Sequence, residues 1–208
     1  MILDFKKLNP ELYLPKTTPS IVDVPSMTFL AVDGSGDPNT SAEYAAAIEL
    51  LYGLSYAIKM GNKAVLEYAV APPEGFWQVA DSGFGGGGDS VPDKGKFLWT
   101  MLIRQPDFVD GDVLELAKAS LARRKPGLDA SGARLASFAE GLCVQALHVG
   151  SYDDEPKTAA AIDAHAVETG HAIDIGETRR HHEIYLSDPR KVPAGKLKTV
   201  IRHPIRRI

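Results

Sequence analysis

The sequence predicts an α+β domain built from two related halves, each a strand, a helix and two further strands, joined in a curved antiparallel sheet with helices on one side and a cleft between the halves. Three observations carry this expectation. The same order of signals occurs twice: an apolar run at Thr28 to Val32 leads through Gly34-Ser35 and Asp37-Pro38-Asn39-Thr40 into an Ala-rich segment, and Leu142 to Val149 leads through Gly150-Ser151 and Asp154-Glu155-Pro156 into another. Both Ala-rich segments carry helix start and stop signals. Each is followed by a pair of short strand-like runs, the pattern of an antiparallel α+β sheet.

Taken in order, the first helix starts at a capping box formed by Thr40 and Glu43 and stops at Gly61. Its apolar residues Ile48, Leu51, Leu54 and Ile58 recur at helical spacing, so that stripe should lie on the sheet. A pair of strand-like runs follows at Ala64 to Ala71 and Phe76 to Asp81, with a further run at Lys96 to Ile103 after the loop. A bridging helix over about 107–124 ends at Lys125-Pro126-Gly127. The second half repeats the plan: Asp154 caps a helix with Pro156 in its first turn, Gly170 stops it, and strands follow at His181 to Ser187 and Lys196 to Arg202. The halves span about 22–105 and 140–204 of a single domain. Such a duplicated sheet leaves a cleft along its seam, a default place for a small ligand.

Composition bounds the function. A chain of 208 residues, 44% hydrophobic and 24% charged, is long enough for one sizeable core. Its net charge of -4 gives no general attraction for nucleic acid, and the basic tail Arg202 to Arg207 is too short to act as a binding arm. The N-terminal segment has no apolar signal region after a basic start, and no apolar run is long enough to span a membrane, so no membrane partner and a cytoplasmic location are expected. The single cysteine, Cys143, sits among Leu142, Val144 and Ala146 and reads as a small buried hydrophobe.

Several catalytic motifs are excluded. The glycines of Ser82 to Asp89 lack the lysine of a phosphate loop and precede a strand rather than a helix, so no nucleotide cofactor is expected. His181, His182 and Glu183 do not make a metal site, because alternation sends His182 to the opposite face and no other cluster has zinc-like spacing. No serine occupies a nucleophile elbow.

The candidate chemistry lies in HHEIYLSDPRKVPAGKLKTVIRHPI, from His181 to Ile205. In a strand, Ile184 and Leu186 share one face while Glu183 and Tyr185 share the other. Two readings fit: a solvated sheet face, or a cleft in which a carboxylate beside a phenol meets a ligand. Trp77 and Trp99 fall in neighbouring strands, either as core residues or as the walls of a slot for a flat ligand. His148 and Tyr152 bracket the turn at Gly150, and Tyr56 shares a helix face with Tyr52.

Four segments, EGFWQVA at Glu74 to Ala80, FLWTMLIRQP at Phe97 to Pro106, EGLCVQALHVGSYDDEPKT at Glu140 to Thr158 and the final stretch above, resemble the GyrI-like small-molecule-binding family in its stand-alone form. The resemblance implies a duplicated fold and a hydrophobic cleft holding a glutamate, matched by Glu183, with Trp77 and Trp99 as aromatic walls; Tyr56, His148 and Tyr152 are further ligand-binding candidates by their placement alone. It implies a planar hydrophobic or cationic small molecule as partner, with no cofactor and no metal. Two functions follow from it: hydrolysis of the strained cyclopropane of planar DNA-alkylating compounds, with Glu183 as base and Tyr185 as donor, or capture of drugs without turnover. Too few residues precede the first strand for the helix-turn-helix carried by regulatory members, so this chain is expected to act alone. The Gly-rich linker after the Trp77 strand departs from the family in its length, so the shape of the cleft mouth is not carried over from the resemblance.

Overall fold

The computed structural model describes residues 2–80 and 93–208. Its elements in chain order are α1 (Phe5–Leu8), α2 (Pro10–Tyr13), β1 (Ser20–Ser35), α3 (Ala42–Gly61), β2 (Pro73–Val79), β3 (Phe97–Arg104), α4 (Gly111–Arg124), β4 (Arg134–Val149), α5 (Glu155–Glu168), β5 (His171–Ile173), β6 (His181–Tyr185) and β7 (Lys198–Arg207). The strands run in the order β4-β1-β3-β2-β6-β7-β5, and β4 also pairs with β7. Six strands therefore close into an antiparallel barrel, and β5 pairs with the end of β7, from Ile205 to Arg207, past its barrel partners.

The predicted α+β class and duplicated order hold, but the sheet curves further than expected and closes. The reason lies in β1 and β4, each 16 residues long rather than the short runs read from the sequence. They pair from Ser20↔Gln145 to Ala31↔Arg134, joining the halves along one seam. The second seam is the pairing of β2 with β6, from Glu74↔Ile184 to Trp77↔His181. Gly141, at φ +66°, marks a reversal in β4 that only glycine adopts easily. Glu140 before it and Gln145 after it both bond to Arg202 despite their odd spacing.

Several local expectations are corrected. Helix α3 is capped by Ser41, whose hydroxyl accepts from the Tyr44 amide at 3.2 Å, one residue after the Thr40 read as cap. Asp154 precedes α5 without a side-chain cap bond; its carboxylate takes Ser151 and Lys157 instead. The run Ala64 to Ala71 is no strand and makes one isolated bridge, Leu3↔Tyr68. The Gly-rich segment lies outside the described residues.

Helices α3 and α5 cover one face of the sheet. Leu51, Leu54 and Ile58 of α3 are buried as their spacing predicts, and Ile162 and Ala166 of α5 pack on Val144, Ala146 and Ile201. The opposite face, enclosed by the barrel, stacks Phe29 on Phe138 at 4.8 Å and packs Phe76 against His182.

That interior also holds charge. His182 lies 3.0 Å from Glu140 and 3.1 Å from Glu74, while Arg202 donates to Glu140 at 2.8 Å, to Gln145 at 2.9 Å and to the Leu12 carbonyl at 2.8 Å. Tyr13 donates to Glu74. Burial alone would disfavour charge, but the carboxylates hold His182 up at about 9, and the two cations hold Glu140 down at about 2. The signs set a pH window. A raised histidine stabilises the fold fully below its ordinary 6.5 and loses that contribution as pH climbs through about 9; a depressed carboxyl stabilises above its ordinary 4.5 and loses that contribution as pH falls towards 2. Urea midpoints should therefore be highest between about pH 5 and 6.5 and fall towards pH 9. A midpoint that rises from pH 6.5 to 9 would contradict the paired cluster.

Candidate functional site

Strand parity places His181, Glu183 and Tyr185 on the helix-covered face of β6, opposite to His182 and Ile184. Glu183 pairs across β2 with Gly75, which has no side chain, and across β7 with Ile201. That glycine matters: a Cβ there would lie 2.8 Å from Trp77 Nε1. Its absence lets the Trp77 indole lie over the strand and donate to the Tyr185 hydroxyl at 2.8 Å. Tyr185 in turn donates to Glu183 Oε2 at 2.7 Å, and His181 Nε2 meets Glu183 Oε1 at 2.9 Å. Both carboxylate oxygens are thus held, with the Glu183 side chain 12% exposed.

The amino-terminal ends of the two long helices flank this array. From α3, Tyr44 sets its ring 6.0 Å from Trp77 and edge-on to Trp99 at 5.3 Å. From the turn before α5, Tyr152 meets Tyr185 edge-on at 6.0 Å. Glu155, the first residue of α5, is buried, and its Oε1 has no hydrogen-bond partner among the described residues. Desolvation and then the neighbouring Glu183 charge push the Glu155 carboxyl up to about 10, so it keeps its proton at neutral pH. The helix dipole would favour its charge, but burial beside a second carboxylate outweighs that. Burial and the Glu183 charge also raise Tyr44 and Tyr185, and burial with Glu155 and Glu183 raises Tyr152 to about 12, so these phenols remain proton donors.

Of the residues singled out from the sequence, Glu183, Tyr185 and Trp77 form one hydrogen-bonded group, and Tyr152 touches it. Trp99 is 2% exposed and packed on the bare face of Gly34, where a Cβ would lie 2.1 Å from the ring. Its indole nitrogen has no partner among the described residues. His148 is engaged elsewhere, with Nδ1 on Thr158 at 2.8 Å and Nε2 on the Ser151 carbonyl at 3.0 Å, where it holds the turn into α5. Tyr56 stands half exposed on α3, its ring 6.5 Å from that of Tyr52.

Two groups at this site escaped the sequence reading. They are Glu155 and Tyr44. The one signal was their nearness to a helix start: Tyr44 lies in the first turn of α3, and Tyr152 and Glu155 lie at the entry to α5.

Among the described residues no cluster of His, Cys, Asp and Glu is arranged to hold a metal ion, and no helix is long and apolar enough to cross a membrane. The family model of the GyrI-like small molecule binding domain matches residues 128–206. Over 98% of this chain and 100% of its own length, the crystal structure of an uncharacterized conserved protein from Listeria innocua is similar at 41% identity and a TM-score of 0.91. A hydrolase from Listeria innocua is similar at 40% identity and a TM-score of 0.88, over 98% of this chain and 100% of its own. The EcmrR C-terminal domain shares the fold at 11% identity and a TM-score of 0.53, over 91% of this chain and 98% of its own. No curated protein sequence matches. With the family model matching residues 128–206 and relatives at 40–41% identity covering 98% of this chain, the chain belongs to the GyrI-like small-molecule-binding family.

Proposed function

We propose that this protein hydrolyses planar, electrophilic small molecules whose reactivity resides in a strained cyclopropane conjugated to a dienone, over the face that carries Glu183. The observation that carries this reading is a pair of carboxyls in unlike surroundings: Glu183, with both oxygens engaged by Tyr185 and His181, and Glu155, buried with its Oε1 unpartnered among the described residues. Two carboxyls set apart in this way suit base and acid roles in one reaction. The similar Listeria innocua hydrolase supports the reaction class.

Water adds to a cyclopropane carbon and gives a proton to Glu183. The strained C–C bond breaks, and its electron pair flows through the dienone to the carbonyl oxygen, making a phenolate-like centre. Tyr185, whose proton is directed at Glu183 in the free protein, turns it to that oxygen once Glu183 has become protonated and no longer draws it; Glu155 offers a second neutral donor on the same side. Trp77, 4% exposed, fixes the phenol by donating to its oxygen, and the partly exposed Tyr44 and Tyr152 supply flat apolar surface for the ligand. His148 and Tyr56 fall outside this reading, the first because both ring nitrogens are engaged, the second because it lies out on α3 against Tyr52.

A second reading is that the same surface captures drugs without turnover, Glu183 pairing with cationic ligands. Incubation with a panel of planar cations and cyclopropane-dienone electrophiles, following binding and product together, tests the two. Ligands that bind should quench tryptophan emission, and Trp77→Ala should weaken them by more than about 1 kcal/mol. Binding without any product across the electrophiles would leave capture as the function.

A further inference from the structure

We propose that His181, His203 and Asp163 form a proton relay that loads and unloads Glu183 from the outer side of α5 while a ligand covers the face that carries Glu183. The inference rests on Glu183 being the group that meets the ligand. It adds three positioning residues that neither the family pattern nor the strand parity assigns.

The geometry is a continuous chain. Glu183 Oε1 lies 2.9 Å from His181 Nε2, His181 Nδ1 lies 2.7 Å from His203 Nε2, and His203 Nδ1 lies 2.6 Å from Asp163 Oδ1. The chain crosses from β6 to β7 to α5. Both imidazoles are buried, whereas the Asp163 side chain is 43% exposed, so the chain links an enclosed carboxylate to one in water. The register explains it: His182↔Arg202 puts His181 beside His203 on the helix-covered face, and α5 crosses above.

Counting protons shows why this is a relay and not a brace. In one state Glu183 is a carboxylate accepting from His181 Nε2–H, His181 Nδ1 accepts from His203 Nε2–H, and a cationic His203 also donates to the Asp163 carboxylate. In the other, the Nε2 proton of His181 has moved to Glu183 and the Nε2 proton of His203 to His181 Nδ1, leaving both rings neutral and Asp163 still a carboxylate. Every hydrogen bond survives, and two short hops carry one positive charge between His203 and the Glu183 carboxyl. Solvent restores the His203 proton beside Asp163. His148 offers the contrast: its Nε2 faces a carbonyl, which accepts only, so its tautomer is locked.

The site gives Glu183 reason to need such a route. The ionisable groups around it are Tyr185 on its own strand, Tyr44 from α3, Tyr152 and Glu155 at the entry to α5, and His181, beside which His182 lies on the opposite face. Among these the phenols and Glu155 hold their protons, so the exit towards solvent runs through the histidines. A cationic ligand wants Glu183 charged and a neutral one wants it protonated; the relay lets the face accept either, with the proton parked on His203.

The test is a pH titration of the histidine ring nitrogens by long-range nitrogen-proton NMR in the ligand-free protein, comparing wild type with Glu183→Gln, His181→Gln and Asp163→Asn. Glu183→Gln should move the His203 midpoint by about 0.5 unit or more, and in the His181→Gln background that effect should vanish, since the link is cut. An identical His203 curve in wild type and Glu183→Gln overturns the relay, as does an effect that persists without His181. Ethidium affinity against pH gives the second readout: Asp163→Asn, partly exposed and so tolerant of substitution, should shift the midpoint of that profile, and an unshifted profile overturns the proposal. The underlying reading fails separately, if Glu183→Gln binds ethidium as tightly as wild type; the nitrogen titration still decides the relay in that case.

Discussion

Glu183→Gln should lower kcat on a cyclopropane-dienone substrate by about 10²- to 10⁴-fold while changing the affinity for neutral planar ligands little, the range for removing a general base. The substitution is nearly isosteric. The amide still accepts from Tyr185 or His181 through its oxygen, so the array around Trp77 keeps its shape and the loss reports the proton acceptor. Cationic ligands respond differently: they lose a charge-assisted contact and should weaken by about 1.5–3 kcal/mol. Single-turnover kinetics beside a binding titration separates the two. If no compound is consumed faster by wild type than by Glu183→Gln, hydrolysis is excluded and capture remains. If neutral and cationic ligands weaken alike, the glutamine has disturbed the array and Glu183 holds the site's shape as well as its charge.

The largest expected loss of stability lies on the other face. Arg202→Met should cost about 3–5 kcal/mol, read as a lower urea midpoint, because removing one partner of a buried ion pair leaves the other uncompensated. Arg202 is 1% exposed and donates to Glu140, Gln145 and the Leu12 carbonyl, so the change takes one of two cations from Glu140, removes the donor from Gln145 Oε1 and the Leu12 carbonyl, and releases the segment around α2. His182 still meets Glu140 and keeps the cost from rising further. Adding Glu140→Gln to Arg202→Met should recover part of the loss, since a neutral amide costs less to bury than an unpaired carboxylate. A cost below about 1 kcal/mol for Arg202→Met would mean that water reaches this cluster and that the barrel interior is not closed at that end.

Much of this was legible in the residues. The alternation of HHEIY put Glu183 with Tyr185 and against Ile184 because side-chain direction in a strand depends only on position. The stripe at Leu51, Leu54 and Ile58 found the buried side of α3 for the same local reason. The repeat of strand, turn, helix and strand pair was visible because capping and turn residues act on their immediate neighbours. Where local signals competed, they misled. Thr40 and Ser41 both suit a cap, and only the backbone path chose Ser41; the run Ala64 to Ala71 has strand-like residues but no strand beside it to complete a ladder.

What the sequence by itself determined is which side chains share a face and where the chain turns: the α+β class, the twofold order and the pairing of Glu183 with Tyr185 all follow from spacing. What only the tertiary structure decided is which faces meet. Closure into a barrel needed the long seam of β1 and β4 and the reversal at Gly141. The burial of Glu155 near Glu183 needed α5 to start beside β6, and the chain from Glu183 to Asp163 needed β7 to pair with β6 and α5 to cross above both. Those contacts join residues whose separation along the chain carries no periodic trace, so the energy that selects them, burial and hydrogen bonding across strands, exists only once the barrel has closed.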